Sequence, residues 1–198
     1  TSDWGLTEPM HFFVNDGKGS FNNTSNSSKL GLLKGGLNIM QLDYNNDGDL
    51  DIFVLRGAWM EKFGEQPNSL IKNNGDGTFT DVTVKAGLLC YFPTQAAVWR
   101  DFNKDGWLDL FIGNETSNTN TIYPSQLFIN NMDGTFKECA ANAGCRIIDF
   151  TKGVSAGDYN NDGFEDIYIS SASGNQRLLK NTGIKDNIPQ FIDVTREA

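Results

Sequence analysis

No stretch of this sequence approaches the run of about eighteen apolar residues needed to span a bilayer, so no membrane-spanning helix is expected. Basic charge is scarce. Against 25 Asp and Glu stand 16 Lys and Arg, giving a formal net charge of −9 and no basic stripe, which argues against nucleic acid as a partner. Histidine is nearly absent: the single His11 has no Ser or Cys motif beside it, so no catalytic residue is expected there. No window sustains a helical period, and the best candidate, residues 84–89, is too short to stand alone as a helix. The cysteines are few and form no C-x-x-C or zinc-ligand pattern. Aligning the repeats described below sets Cys139 opposite Val82 and Cys145 opposite Leu88, both apolar positions, so the thiols read as small buried hydrophobes. A Cys139–Cys145 disulfide is the alternative in an oxidising compartment and would leave Cys90 single. No signal peptide is visible, and the chain opens on Thr1 rather than Met, the pattern of a processed or excised segment.

What is present is a repeat. The nine-residue pattern D-x-N-x-D-G-x-x-D occurs at residues 43–51, 101–109 and 158–166, with first aspartates 58 and 57 residues apart. Each copy runs into an apolar strand: Ile52-Phe-Val-Leu55, Leu110-Phe-Ile112 and Ile167-Tyr-Ile169. Oxygen side chains at positions one, three, five and nine of a glycine-bent loop suit a hard cation such as Ca²⁺, which takes about six to eight oxygens in loose geometry. The candidate side-chain ligands are Asp43, Asn45, Asp47 and Asp51 in the first loop. They are Asp101, Asn103, Asp105 and Asp109 in the second, and Asp158, Asn160, Asp162 and Asp166 in the third. Eleven of the acidic side chains lie in these loops, and about three bound Ca²⁺ ions would bring the net charge from −9 to −3. Without metal, each cluster of like charges opposes its own folding.

A second motif alternates with the first. Leu70-Ile-Lys-Asn-Asn-Gly-Asp-Gly-Thr-Phe79 recurs as Leu127-Phe-Ile-Asn-Asn-Met-Asp-Gly-Thr-Phe136, with an earlier copy at residues 12–21 and a diverged one from Leu178 with a longer hairpin. Asn-x-Gly and Asp-Gly between apolar runs are hairpin chemistry, because glycine supplies the positive φ of a tight turn. From Phe21, Phe79 and Phe136 to the next loop aspartate the distance is always 22 residues. Each unit therefore reads as four short strands: one entering the acidic loop (residues 96–100 and 153–157), one leaving it, and the two arms of the hairpin. Four antiparallel strands per repeat of this length describe a propeller blade.

The expected fold is all-β, with β-propeller blades of four antiparallel strands. A half blade occupies residues 1–36 and full blades occupy 37–95, 96–152 and 153–198. Closed propellers use roughly four to eight blades, so three and a half make an incomplete ring. Further blades, from the same longer chain or from a partner chain, are expected to complete it, since open blade edges invite pairing.

An EF-hand shares the loop opening but needs a glutamate at position twelve and flanking helices. Here that position holds Val54, Ile112 and Ile169 inside strands, so the ninth aspartates must supply the closing carboxylate. At these residues the chain resembles the FG-GAP/VCBS repeat family, whose blades carry such loops, as do integrin α-subunit propellers. The alternation of "LDYNNDGDLDIFV" with "NNGDGTFTDVT" and "KAGL" is most similar to the VCBS-type repeats of ASPIC/UnbV-like (cartilage acidic protein-like) proteins. The resemblance covers residues 12–195 and implies Ca²⁺ between strands one and two of each blade. It also implies that Asp49, Trp107 and Phe164, at position seven, contribute backbone carbonyls. Two departures stand out: position three is Asn where the family often has Asp, and the C-terminal domain such proteins commonly carry is missing.

All the nominal side-chain ligands of a site come from one loop, and the site recurs on every blade, so the ions are expected to be structural. Recognition is then expected at the opposite face. There the connections between strands two and three vary: residues 56–68 with Trp59 and Phe63, residues 114–125 with Tyr123, and residues 171–175. The connections between blades add Tyr91, Phe92 and Pro93 to the same face. The expected function is a calcium-binding extracellular module for adhesion or for recognition of a protein or glycan. The alternative is the propeller part of a carbohydrate-active enzyme such as a polysaccharide lyase. Asn22, Asn23, Asn26 and Asn114 open N-glycosylation patterns. Loops of this kind suit millimolar Ca²⁺, which favours an extracellular, periplasmic or cell-surface location.

Overall fold

The computed structural model describes residues 8–117 and 121–197; residues 1–7 of the expected half blade and residues 118–120 of the second variable segment lie outside the described residues. Strands β1 (Phe13–Asn15) and β2 (Phe21–Asn23) pair as an antiparallel hairpin. Three four-stranded antiparallel meanders follow. The first holds β3 (Asn38–Leu42), β4 (Asp51–Leu55), β5 (Ser69–Asn73) and β6 (Phe79–Asp81). The second holds β7 (Thr94–Arg100), β8 (Asp109–Asn114), β9 (Gln126–Asn130) and β10 (Phe136–Glu138). The third holds β11 (Thr151–Gly157), β12 (Asp166–Ser171), β13 (Arg177–Lys185) and β14 (Ile188–Asp193). The chain is thus all-β, an incomplete propeller of three blades and a hairpin, with each acidic loop joining the first and second strands of its blade.

The apolar runs after the loops are unbroken because both faces of each second strand are covered. Side chains alternate along a strand, so in β8 Leu110 and Ile112 pack towards the first blade while Phe111 packs towards the third. The core is accordingly divided into layers between sheets. Phe53, Leu55 and Leu70 meet Trp99, Leu110 and Phe128 between the first two blades, and Phe53 and Trp99 stand edge to face at 5.4 Å. Val98, Phe102 and Phe111 meet Ile167, Ile169 and Phe191 between the next two. Phe12, Met10 and Leu30 cover Val54, Ile71 and Phe79 on the hairpin side. Gly113 shows how closely the layers approach: a Cβ there would come within 2.4 Å of Thr151 Cγ2 and 2.8 Å of Val154 Cγ2.

The first strands start earlier than the sequence predicts, at Thr94 and Thr151 rather than at residues 96 and 153. The pairing slips between Thr94 and Ala96 and again between Thr151 and Gly153, leaving Gln95 and Lys152 as bulge residues. Among the described residues one short α-helix forms, α1 (Ala140–Ala143), closed by Gly144 at φ 76° and anchored by buried Ala140 and Ala143. Its counterpart in the first blade, the expected best helical stretch, stays a turn. Cys139 and Cys145 are free thiols buried in the layer between the second and third blades, and burial pushes the Cys139 thiol up to about 12.

Candidate functional site

The acidic loops sit side by side at one end of the blades. Each turns twice through left-handed backbone: at position four, on Asn46, Lys104 and Asn161 (φ 54°, 59° and 58°), and at position six, on Gly48, Gly106 and Gly163 (φ 88°, 87° and 85°). This conformation aims successive amides at the loop's own side chains. Asp43 accepts from Asp47 N (3.2 Å) and Gly48 N (2.9 Å), Asp101 from Asp105 N (3.0 Å) and Gly106 N (2.9 Å), and Asp158 from Asp162 N (3.0 Å) and Gly163 N (2.7 Å). The fifth-position carboxylates accept from the amides of Asp49, Trp107 and Phe164 at 3.0, 2.9 and 3.1 Å. The third-position Asn45, Asn103 and Asn160 donate their side-chain amides to Asp47, Asp105 and Asp162 at 2.8, 2.7 and 2.8 Å. An aspartate at position three would place a second negative charge against that carboxylate; asparagine supplies a donor.

The ninth aspartates occupy a different place. Asp51, Asp109 and Asp166 are buried, and the carboxylate of each joins the start of its acidic loop to the third strand of its blade. Asp109 accepts from Phe102 N (3.1 Å) and Asn130 N (2.9 Å), Asp51 from Tyr44 N (3.4 Å) and Asn73 N (2.8 Å), and Asp166 from Tyr159 N (3.1 Å) and Asn181 N (2.8 Å). Burial pushes Asp51 up to about 6 and Asp109 up to about 7, and raises Asp166, with the backbone amides pulling the other way. These residues therefore tie the acidic loop to the third strand of the sheet, a role that spacing alone did not reveal.

The donors are all oxygen and suit Ca²⁺ in kind. Among the described residues, however, no three His, Cys, Asp or Glu side chains gather around one point, because local amides hold the carboxylates. Each first-position carboxylate oxygen, accepting one amide, keeps a lone pair for an ion. Lysine adds a second restraint in two loops. Lys72 contacts Asp47 at 2.7 Å and holds its carboxyl below the usual range, with the Asp49 amide assisting, while Lys180 lies 3.4 Å from Asp162. In the second blade the corresponding position is Ile129, buried against the third blade.

At the other end, long loops from different blades converge. The bulge residue Lys152 lies over the rings of Trp59 (3.0 Å to the centroid) and Phe150 (4.0 Å), and its ammonium pairs with Glu115. Glu115 is buried and also accepts from Trp59 N at 2.7 Å, while burial lowers the lysine's proton affinity. Trp59 has the left-handed φ of 70°, uncommon for a bulky residue and a mark of local constraint. Tyr123 O–H donates to Glu65 Oε1 at 2.6 Å. Trp59 and Phe63 are 52% and 69% exposed, and Tyr91 is exposed too. Tyr123, by contrast, is buried where it packs beside Phe92 at 5.4 Å. Pro93 is buried as well. Asn114 is also unavailable for glycosylation: it is buried in β8, donating to Pro124 O (2.7 Å) and accepting from Thr94 Oγ1 (2.7 Å). Lys152 and Glu115 escaped notice in the sequence, because a bulge leaves no local signature.

Repeated four-stranded blades carrying an acidic loop between strands one and two define a propeller-repeat protein. The FG-GAP-like repeat model matches residues 43–112 and again residues 101–169, together more than half of the chain. The chain belongs to the FG-GAP-like repeat family. No curated protein matches it.

Proposed function

We propose that the chain is a calcium-stabilised recognition module, with Ca²⁺ in its three acidic loops and a protein or glycan ligand at the opposite end. The observation that carries this reading is the threefold recurrence of one oxygen-donor loop at one end, set against the exposed Trp59 and Phe63 at the other. Asp43, Asn45 and Asp47, with their equivalents Asp101, Asn103, Asp105, Asp158, Asn160 and Asp162, would hold the ions. Carbonyls at Asp49, Trp107 and Phe164 would assist, with the ninth aspartates closing each site through their free lone pairs. A bound ion supplies two positive charges to each acidic loop, offsetting the mutual repulsion of its carboxylates.

Trp59 and Phe63 offer the apolar surface on which a sugar ring or an apolar side chain of a protein packs, consistent with adhesion. The millimolar Ca²⁺ that such loops require favours an extracellular, periplasmic or cell-surface setting. In the alternative, a polysaccharide lyase, Lys152 would be the natural base. Its ammonium is already engaged by Glu115 and two rings, which favours recognition over catalysis.

Calorimetric titration with Ca²⁺ should give about three sites, each weakened by removing the fifth-position carboxylate (Asp105→Ala for the second). Glycan arrays and protein pull-downs with wild type and Trp59→Ala then test the opposite end. Binding that is lost in the variant supports the module. Unsaturated products accumulating in a lyase absorbance assay would replace it with the enzyme.

A further inference from the structure

The boundaries between full blades share one construction. On the leading side stand Tyr44 and Phe53 in the first blade and Phe102 and Phe111 in the second, all buried. The following blade presents a third-strand apolar residue and the phenylalanine that opens its fourth strand: Phe128 with Phe136, then Leu179 with Phe191. Tyr44 lies 6.0 Å from Phe136 and Phe102 lies 5.9 Å from Phe191, centroid to centroid. An asparagine seals each boundary: Asn130 Nδ2 donates to Tyr44 O at 2.9 Å, and Asn181 Nδ2 to Phe102 O at 3.1 Å.

Both halves of this contact recur, uncovered, at the two ends of the stack. The third blade carries Tyr159 and Tyr168 at the leading positions, 48% and 45% exposed. The β1–β2 hairpin carries Phe13 and Phe21 at the positions of Phe128 and Phe136, 52% and 65% exposed. Asn15 stands where Asn130 does and caps its turn in the same way, through Gly17 N at 2.9 Å as Asn130 does through Met132 N at 2.9 Å. Among the described residues, no other surface offers this aromatic pair and asparagine unburied.

We infer that the leading face of the third blade receives the β1–β2 hairpin of a second copy, head to tail. Phe21 would lie against Tyr159 and Phe13 against Tyr168, with the Asn15 amide reaching the Tyr159 carbonyl. Such a contact is heterologous and closes into a ring when its rotation allows.

Analytical ultracentrifugation of the full chain at roughly 1–100 μM tests this inference apart from any ligand or calcium binding. Wild type should associate. Phe21→Glu and Tyr168→Glu, both at exposed positions, should each weaken association at least about tenfold by setting an unpaired charge in an apolar contact. An equimolar mixture of the two variants should recover a one-to-one dimer, because each retains the face the other lacks. Near-UV circular dichroism should show that both variants are folded. A wild type that stays monomeric throughout overturns the inference. Single variants that associate like wild type, or a mixture that stays monomeric, overturn it equally.

Discussion

At the loop end of the blades, Asp43, Asp101 and Asp158 make the same two backbone bonds in three different sheets. At the other end Arg56, Asn114 and Ser171 close the second strands at matching positions and do three different things. Arg56 is buried and donates to the carbonyls of Lys34, Gly35 and Pro67 and to Ser69 Oγ. Asn114 donates to Pro124 O and accepts from Thr94 Oγ1, while Ser171 donates to Asp149 Oδ1 at 2.5 Å. The loop aspartates are satisfied within five residues of themselves, so the arrangement copies with the sequence. The strand-end residues depend on partners ten or more residues away, which differ between blades, so each blade solves the end anew. One end is suited to repetition and the other to individuality.

Withdrawing calcium should separate the ends most strongly. At tenfold over the dissociation constant each site adds about 1.4 kcal/mol, so filling three sites should raise the melting temperature by roughly 10 °C. Scanning calorimetry in Ca²⁺ and in EDTA reads this directly, and an unchanged melting curve would remove the structural role of the ions. Next in size, Asp109→Ala orphans the amides of Phe102 and Asn130 and should cost about 3 kcal/mol in denaturant unfolding without metal. Asp109→Asn retains one acceptor and should cost about half as much. Asp51→Ala and Asp166→Ala should follow the same pattern. Were only one of the three to matter, the repeated end would not be repeated in energy.

At the individual end, Lys152→Met leaves the Glu115 carboxylate buried without its cation. About 2 kcal/mol of stability should be lost, discounted because the lysine keeps some solvent contact. Adding Glu115→Gln should recover most of that loss. If the double variant unfolds as readily as the single one, the pair is not what organises these loops. The smallest effect is expected within the repeat itself: Lys72→Met frees Asp47 from its ion pair and should tighten calcium at the first loop about threefold. Titration calorimetry that finds no change there would show that the lysine does not compete with the ion.

The strands, hairpins and loop positions were legible because each is encoded within a dozen residues: alternation in the strands, Asn-x-Gly in the turns, acids at fixed spacing. The ninth aspartates were legible as candidate ligands but not as ties to Asn73, Asn130 and Asn181, residues 15 to 22 positions further on. The asparagines at the start of each hairpin were legible as turn caps. Their bonds to Tyr44 and Phe102 in the preceding blade were not, since 86 and 79 residues respectively separate the partners. The burial of Asn114 and Tyr123 was not legible for the same reason: a glycosylation pattern and an aromatic loop residue carry no mark of it.

By itself the sequence determined the blade, its acidic loop and its repetition, because short-range turn chemistry and strand period depend on neighbours along the chain. Tertiary structure alone decided which oxygens remain free in the loops and which aromatics lie in solvent. It also decided where Lys152 falls among the rings and which blade faces are left open. Those outcomes depend on how successive sheets stack, and the free energy of that stacking comes from surfaces that no single repeat contains.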